Sequence, residues 1–365
     1  MNLSQRISKS LNARAFALLL AVLGTVVGLV RPAESHAQVE WTASRPDGHA
    51  PIGVMGDHTH ASGEWMLSYR FMHMSMEGNR DGTDPVSPQA IVDPAGEYDF
   101  MVTPTAMPMR MHMFGVMYAP SDRLTMLLMG NYRSTEMDHE TRSGGTFTTE
   151  ASGIGDARVG GLVGLVTSGA HRAHLNLGIS APLGSVEHRD VTPASGGEEV
   201  QLPYPMQLGS GTWDFVPGVT YLGMTDRWSW GAQALGTLRT GENDRGWTLG
   251  NELEATGWLA LRATRWLSVS VRSSYSVWGD IDGEDPALAP NMVPTARTDL
   301  RSGRRLEVPV GLNLYAPDGP LAGHRVAIEI HPPVYQDLDG PQLETDWMLT
   351  VGWQKSFAPL GGHAH

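Results

Sequence analysis

From Glu64 onward the chain alternates apolar and polar residues with a period of two. The last segment is the clearest: Trp347, Leu349, Val351, Trp353 and Phe357 alternate with Asp346, Met348, Thr350, Gly352, Gln354 and Ser356. Leu175, Leu177 and Ile179 repeat the pattern, as do Leu267, Val269 and Val271, and Leu306, Val308, Val310 and Leu312. Successive side chains of a strand point to opposite faces, so each segment carries one apolar and one polar face. Strands are predicted near 64–76, 107–118, 123–133, 155–167, 171–182, 211–222, 227–239, 247–261, 265–278, 304–315, 324–332 and 344–357. Their linkers alternate between short turns, such as 119–122 and 168–170, and mostly longer loops, such as those beginning at Glu77, Ser134 and Leu183. A sandwich has no reason to order its loops in this way, whereas an outer-membrane barrel does. The predicted fold is all-β: a transmembrane, antiparallel up-and-down β-barrel of about twelve strands, with both termini periplasmic. Tryptophans near strand ends, among them Trp65, Trp213, Trp228, Trp247, Trp258 and Trp266, are expected to form interface girdles.

Composition agrees with a turn-rich β protein: Gly 43, Pro 24 and only 18% charged residues. Residues 1–37 read as a signal peptide, with basic Arg6, Lys9 and Arg14, an apolar stretch from Ala15 to Val30, and Ser35-His36-Ala37 as the cleavage site. Residues 38–63 contain Pro46, Gly48, Pro51, Gly53 and Gly56 without an apolar period, and are expected to form a periplasmic lead-in. The barrel is assigned to 64–357 and a flexible tail to 358–365. No other segment has the length and apolarity of a spanning helix, so a closed barrel is the remaining way to cross a bilayer. The net charge of -13 becomes more negative once the basic signal peptide leaves, which argues against a nucleic-acid partner. The expected partners are outer-membrane lipid, a small-molecule solute, and the barrel-assembly machinery during insertion.

By the alternation rule Arg70, Arg110, Arg158, Arg272, Glu252 and Glu329 line the lumen, either pairing structurally or orienting a solute. Met72-His73-Met74-Ser75-Met76 ends the first strand and Met107-Pro108-Met109-Arg110-Met111-His112-Met113 opens the second, so hairpin pairing sets the two clusters side by side. Met72, Met74, Met76, Met109, Met111 and His112 are then candidates for an adaptable rim that captures apolar solutes. If Arg110 and His112 face inward, Met109, Met111 and Met113 must face lipid. Thioether and imidazole donors also suit Cu(I), with His73, His112 and Met74 as candidate ligands; no other cofactor is expected. Asp57-His58-Thr59-His60 and His363-Ala364-His365 are read as weak metal binders at most. No nucleophile elbow, phosphate loop or zinc-protease motif occurs, so the chain is not expected to be an enzyme.

The chain resembles the family of outer-membrane transporters named for the meta-pathway of phenol degradation. The likeness is carried by Gly63-Glu64-Trp65-Met66, Tyr69-Arg70, the run from Met76 to Gly82, and Met117-Tyr118-Ala119-Pro120-Ser121-Asp122. It continues through Gly153-Ile154-Gly155-Asp156 and the run from Leu202 to Thr212. The resemblance implies an outer-membrane barrel concerned with hydrophobic or aromatic compounds, and brings no catalytic residues. The expected function is a channel for small hydrophobic or aromatic solutes. The alternatives are a Met/His-rich copper-binding or copper-exporting outer-membrane protein and a non-conducting structural barrel.

Overall fold

The computed structural model describes residues 39–357; the expected signal peptide and the tail 358–365 lie outside the described residues. Twelve strands span the barrel: β1 Trp65–Gly82, β2 Met109–Ser121, β3 Leu124–Thr141, β4 Ala157–Ser168, β5 His171–Ala181, β6 Trp213–Met224, β7 Trp228–Thr240, β8 Glu252–Arg262, β9 Leu267–Trp278, β10 Val310–Tyr315, β11 His324–His331 and β12 Pro333–Phe357. Short segments Val102–Ala106, Thr146–Ile154 and Gly303–Glu307 continue β2, β4 and β10 toward the long loops. Pro108 and Pro309 sit at two of these breaks, where a residue without an N–H interrupts the ladder. Each strand pairs antiparallel with its neighbours, and β12 closes the ring on β1 from Trp65↔Phe357 through Phe71↔Val351 to Ser75↔Trp347.

Closure satisfies every edge, the condition for strands to stand in a bilayer. The outer surface bears the matching signature, because Phe114, Leu128, Val159, Ile179, Val271 and Ile328 are exposed although large and apolar. Their neighbours in sequence point inward and are a mixture of polar residues, such as Arg158, Ser270, Arg272 and Glu329, with glycine and methionine. Trp213, Trp228 and Trp266 are exposed at strand ends, as girdle residues should be, but Trp247 and Trp258 are buried. Trp247 packs on Tyr204 and Ile281 in the long loops, and Trp258 packs inside the barrel on Ala50, Val54 and Leu222. Strands β1, β3 and β12 run well past their apolar stretches as paired ribbons at the long-loop rim. Backbone pairing alone carries them there, so no apolar period marks their ends.

The segment expected as a periplasmic lead-in is instead a plug inside the barrel. It begins at the short-turn rim, where Trp41 donates its backbone N–H to Gly169 and Arg45 donates to the Thr225 carbonyl at 2.9 Å. It rises to mid-wall and returns, leaving through Gly63, whose N–H meets the Ala119 carbonyl at 2.7 Å. Ala50, Ile52 and Val54 are 1–3% exposed. Full burial of an aliphatic side chain of this size contributes about 1.5–3 kcal/mol. Such burial and the pairing of its backbone groups with inward side chains make the interior a better place for this segment than water.

Candidate functional site

The plug is held through its own backbone. Ser268 donates to the Pro46 carbonyl (2.8 Å), Gln233 to Met55 (2.9 Å), and Asn176 and His174 to Gly56 (2.9 and 3.0 Å). Arg325 reaches the Ala50 carbonyl while bonding Asn313 and Gln354. At the top of the plug the Gly53 N–H donates to the Glu329 carboxylate at 2.8 Å, and Arg272 donates to the other carboxylate oxygen at 3.0 Å. Arg272 also lies 3.2 Å from His331 Nδ1 and 3.6 Å from Glu254. Buried Glu329 therefore has the paired, hydrogen-bonded surroundings that a carboxylate needs away from water. Two glycines make the approach possible: a Cβ on Gly53 would lie 2.5 Å from Glu329, and one on Gly352 would lie 2.7 Å from Ile52.

Arg70, Arg158, Arg272 and Glu329 all point inward, as the alternation implies; Glu252 lies on the same face as Thr256 and Trp258 but at the exposed long-loop end of β8. Arg110 and His112 do not point inward. Arg110 pairs on the outer surface with Glu136 at 3.2 Å, and His112 meets the Tyr69 hydroxyl at 2.8 Å beside Phe71. The inward residues of β2 are Met109, Met111, Met113, Gly115 and Met117, because Met113 and Met117 are buried while Phe114 is 58% exposed. The methionines expected to face lipid thus face the lumen. Both faces of this strand have residues that tolerate an apolar setting, and the charged Arg110 sits high enough to find Glu136.

This reversal assembles a wall. Met72 stands opposite Met111, Met74 opposite both Met109 and Met348, and Met66 opposite Met117. Cross-strand neighbours on one face lie about 4.5–5.5 Å apart at Cβ, so these thioethers form a ladder across β12, β1 and β2. Met72, Met74, Met109 and Met111 are only half-buried, above the plug. Beside this ladder, β11 sets His331 against Met348 and Glu329 against Thr350, and β9, two strands further round, adds Arg272. The soft, apolar ladder therefore adjoins a patch that is charged and internally neutralised. The copper set does not assemble: His73 points outward against Trp347, His112 is outward too, and Met74 alone of the three points in.

At the long-loop rim, Leu202, Met206 and Leu208 fold back onto Met76, Met107 and Met137. Asp156 anchors this loop by accepting from Gly184 N and Ser210 N at 2.9 and 2.8 Å, which joins two stretches that were singled out separately in sequence. A cavity of about 370 Å3 beyond it is lined by Glu284, Asp285, Arg297 and Asp299 and is too polar for a hydrocarbon. Of the plug residues His49, Asp57, His58 and His60, which are buried together, the sequence marked Asp57, His58 and His60 only as weak metal binders and missed His49 and the enclosure of all four. Ile52 and Val54 within an otherwise polar segment were the available signal.

The fold is that of an outer-membrane channel barrel. Among solved structures, the COG4313 outer membrane channel from Pseudomonas putida F1 superposes with a TM-score of 0.55 at 11% identity, over 83% of this chain and 99% of that one. The toluene transporters TodX of P. putida and TbuX of Ralstonia pickettii, at 10% and 9% identity, cover 84% and 88% of this chain and 92% and 96% of theirs. Both have a TM-score of 0.42, too loose a match to bear on this chain's solute. No family model matches the chain, and neither does any curated protein.

Proposed function

We propose that this protein is a channel of the bacterial outer membrane for small hydrophobic or aromatic solutes, held closed by its own N-terminal plug. The observation that carries the reading is the half-buried thioether ladder of Met72, Met74, Met109 and Met111 above the plug. Thioethers are polarizable and adaptable, and they contact aromatic rings favourably without demanding one shape. The adjoining charged patch contributes little pull on ions, since Arg272 is answered by Glu329 and Glu254. The resemblance to the meta-pathway family supports the same solute class, and transport without catalysis accords with the absence of a recognisable catalytic motif in the sequence. The long-loop rim is then external and the short-turn rim periplasmic.

Reconstitution of the mature chain into liposomes, with uptake of toluene measured beside planar-bilayer conductance, tests the proposal. Solute flux that falls when the four methionines are replaced supports it. Flux indifferent to those replacements overturns the thioether route, and no flux even after deletion of 39–63 favours the structural barrel. A second reading rests on the same ladder, because stacked thioethers also suit Cu(I). Stoichiometric Cu(I) binding lost in the Met74→Leu, Met109→Leu pair would favour it.

A further inference from the structure

We infer that His49, Asp57, His58 and His60 form a binding site for a borderline divalent cation of the Zn2+ type, which clips the two limbs of the plug together. The site goes beyond the channel reading and rests on a different part of the molecule. His49 belongs to the rising limb, whereas Asp57, His58 and His60 belong to the returning one. One donor atom each of His49, Asp57 and His58 lies within 4.8 Å of the others. The His49 and His58 ring centroids are 4.1 Å apart, and those of His58 and His60 are 4.7 Å apart. All four residues are buried, with His58 at 0% exposure.

The second observation is that three of their nitrogens lack partners. His49 Nδ1, His58 Nε2 and His60 Nε2 are buried without a hydrogen bond, while His58 Nδ1 lies 3.0 Å from Asp57 Oδ1. Buried polar atoms are nearly always bonded, so three orphans in one cluster point to a shared ligand that they surround.

The groups behind the donors are arranged as outer-sphere partners. Ala50 N donates to Asp57 Oδ2 at 2.9 Å and orients the carboxylate. Glu64 Oε2 lies 3.4 Å from His60 Nδ1, the contact that fixes a ring so that its Nε2 is presented to a metal. Three imidazoles and a carboxylate favour Zn2+ and its neighbours over Mg2+ or Ca2+, which want oxygen. In a tetrahedron with Zn–N of about 2.0–2.1 Å the donors lie roughly 3.3 Å apart, so ring rotations must draw the present donors inward by an ångström or so. Arg325 and Arg70 lie within electrostatic reach of Asp57 and lower the affinity relative to an uncharged setting.

The test uses the mature chain in detergent, purified without a histidine tag and carrying His363→Ala and His365→Ala so that the tail cannot contribute. Zn2+ is titrated and counted after dialysis, and Co2+ is added in its place to read the ligand field by visible absorption. The expected result is about one ion per chain, tetrahedral Co2+ bands, and slower amide exchange across 49–60 on loading. Both binding and bands should be lost in His49→Gln, His58→Gln and kept in a His171→Gln control. Heat-shifted gel migration shows that each variant is folded. No binding at micromolar Zn2+, or binding undiminished in the double variant, overturns the site; binding that leaves 49–60 exchange unchanged overturns the clip.

Discussion

The backbone N–H of Gly53 donates 2.8 Å to the carboxylate of Glu329, so the top of an N-terminal plug is bonded to the middle of a barrel strand 276 residues away. Glu329 can accept it because Arg272 neutralises the same carboxylate from β9. This contact needs no side chain from the plug. Its removal should open the barrel without unfolding it.

Gly53→Val tests this relationship directly. A Cβ there would lie 2.5 Å from Glu329, 2.6 Å from Arg272 and 2.9 Å from His331, so these bonded side chains must shift to admit it. Overpacking of this kind costs about 1–3 kcal/mol, enough to weaken plug docking roughly 5- to 150-fold. Single-channel recordings should show larger or more frequent openings than in the parent, while heat-shifted gel migration stays intact. An unchanged current would mean that the plug does not occlude the path.

Arg272→Met should be among the most destabilising single changes, because it strands Glu329 in the interior with no counter-charge. Breaking one partner of a buried pair costs about 3–5 kcal/mol, whereas replacing both by apolar residues of similar volume is often close to neutral. The double variant Arg272→Met, Glu329→Leu is therefore expected to unfold at a higher denaturant concentration than Arg272→Met alone. Equal midpoints would show that the pair is not coupled.

Replacing Met72, Met74, Met109 and Met111 by Asn should lower hydrophobic solute flux several-fold, since each thioether–ring contact contributes about 0.3–1.5 kcal/mol. His73→Ala and His112→Ala are expected to leave the flux unaltered, as both rings lie on the outer surface. Liposome uptake assays on the six-variant set separate the two faces of β1 and β2. Flux that responds to the histidines and not to the methionines would reverse the assignment.

The orientation of β2 has an independent check in lipid. Phe114 is 58% exposed on the outer surface, so Phe114→Arg sets a charge among acyl chains and should destabilise the barrel by about 2–4 kcal/mol if the site is near the bilayer midplane. Arg110→Leu, whose partner Glu136 sits on the exposed outer face, should cost far less. Refolding equilibria in thin-bilayer vesicles compare the two.

Much of the architecture was legible in the order of residues because a lipid-facing strand must repeat with a period of two. Trp347 to Phe357 and Leu267 to Val271 declared their strands and faces, and the second so fixed the inward place of Arg272. The alternation of short and long linkers supplied the up-and-down order. Strand β2 was misread because Met109, Met111 and Met113 suit lumen or lipid equally, while Arg110 and His112 find partners on the outer surface in Glu136 and Tyr69. Nothing in a single strand decides between two tolerable faces; its register against β1 and β3 does.

The plug lay beyond any reading of local pattern. Its anchors are mostly backbone groups, such as the Gly53 N–H and the carbonyls of Pro46, Ala50, Met55 and Gly56, and every chain possesses those. Their partners, Ser268, Arg325, Gln233, Asn176 and Glu329, come from four different strands and converge only when the ring closes. Periodicity thus determines that this chain makes a barrel and which way most side chains face. Long-range packing determines that the barrel is filled, because docking depends on groups that are distant in sequence and individually unremarkable until folding sets them around one axis.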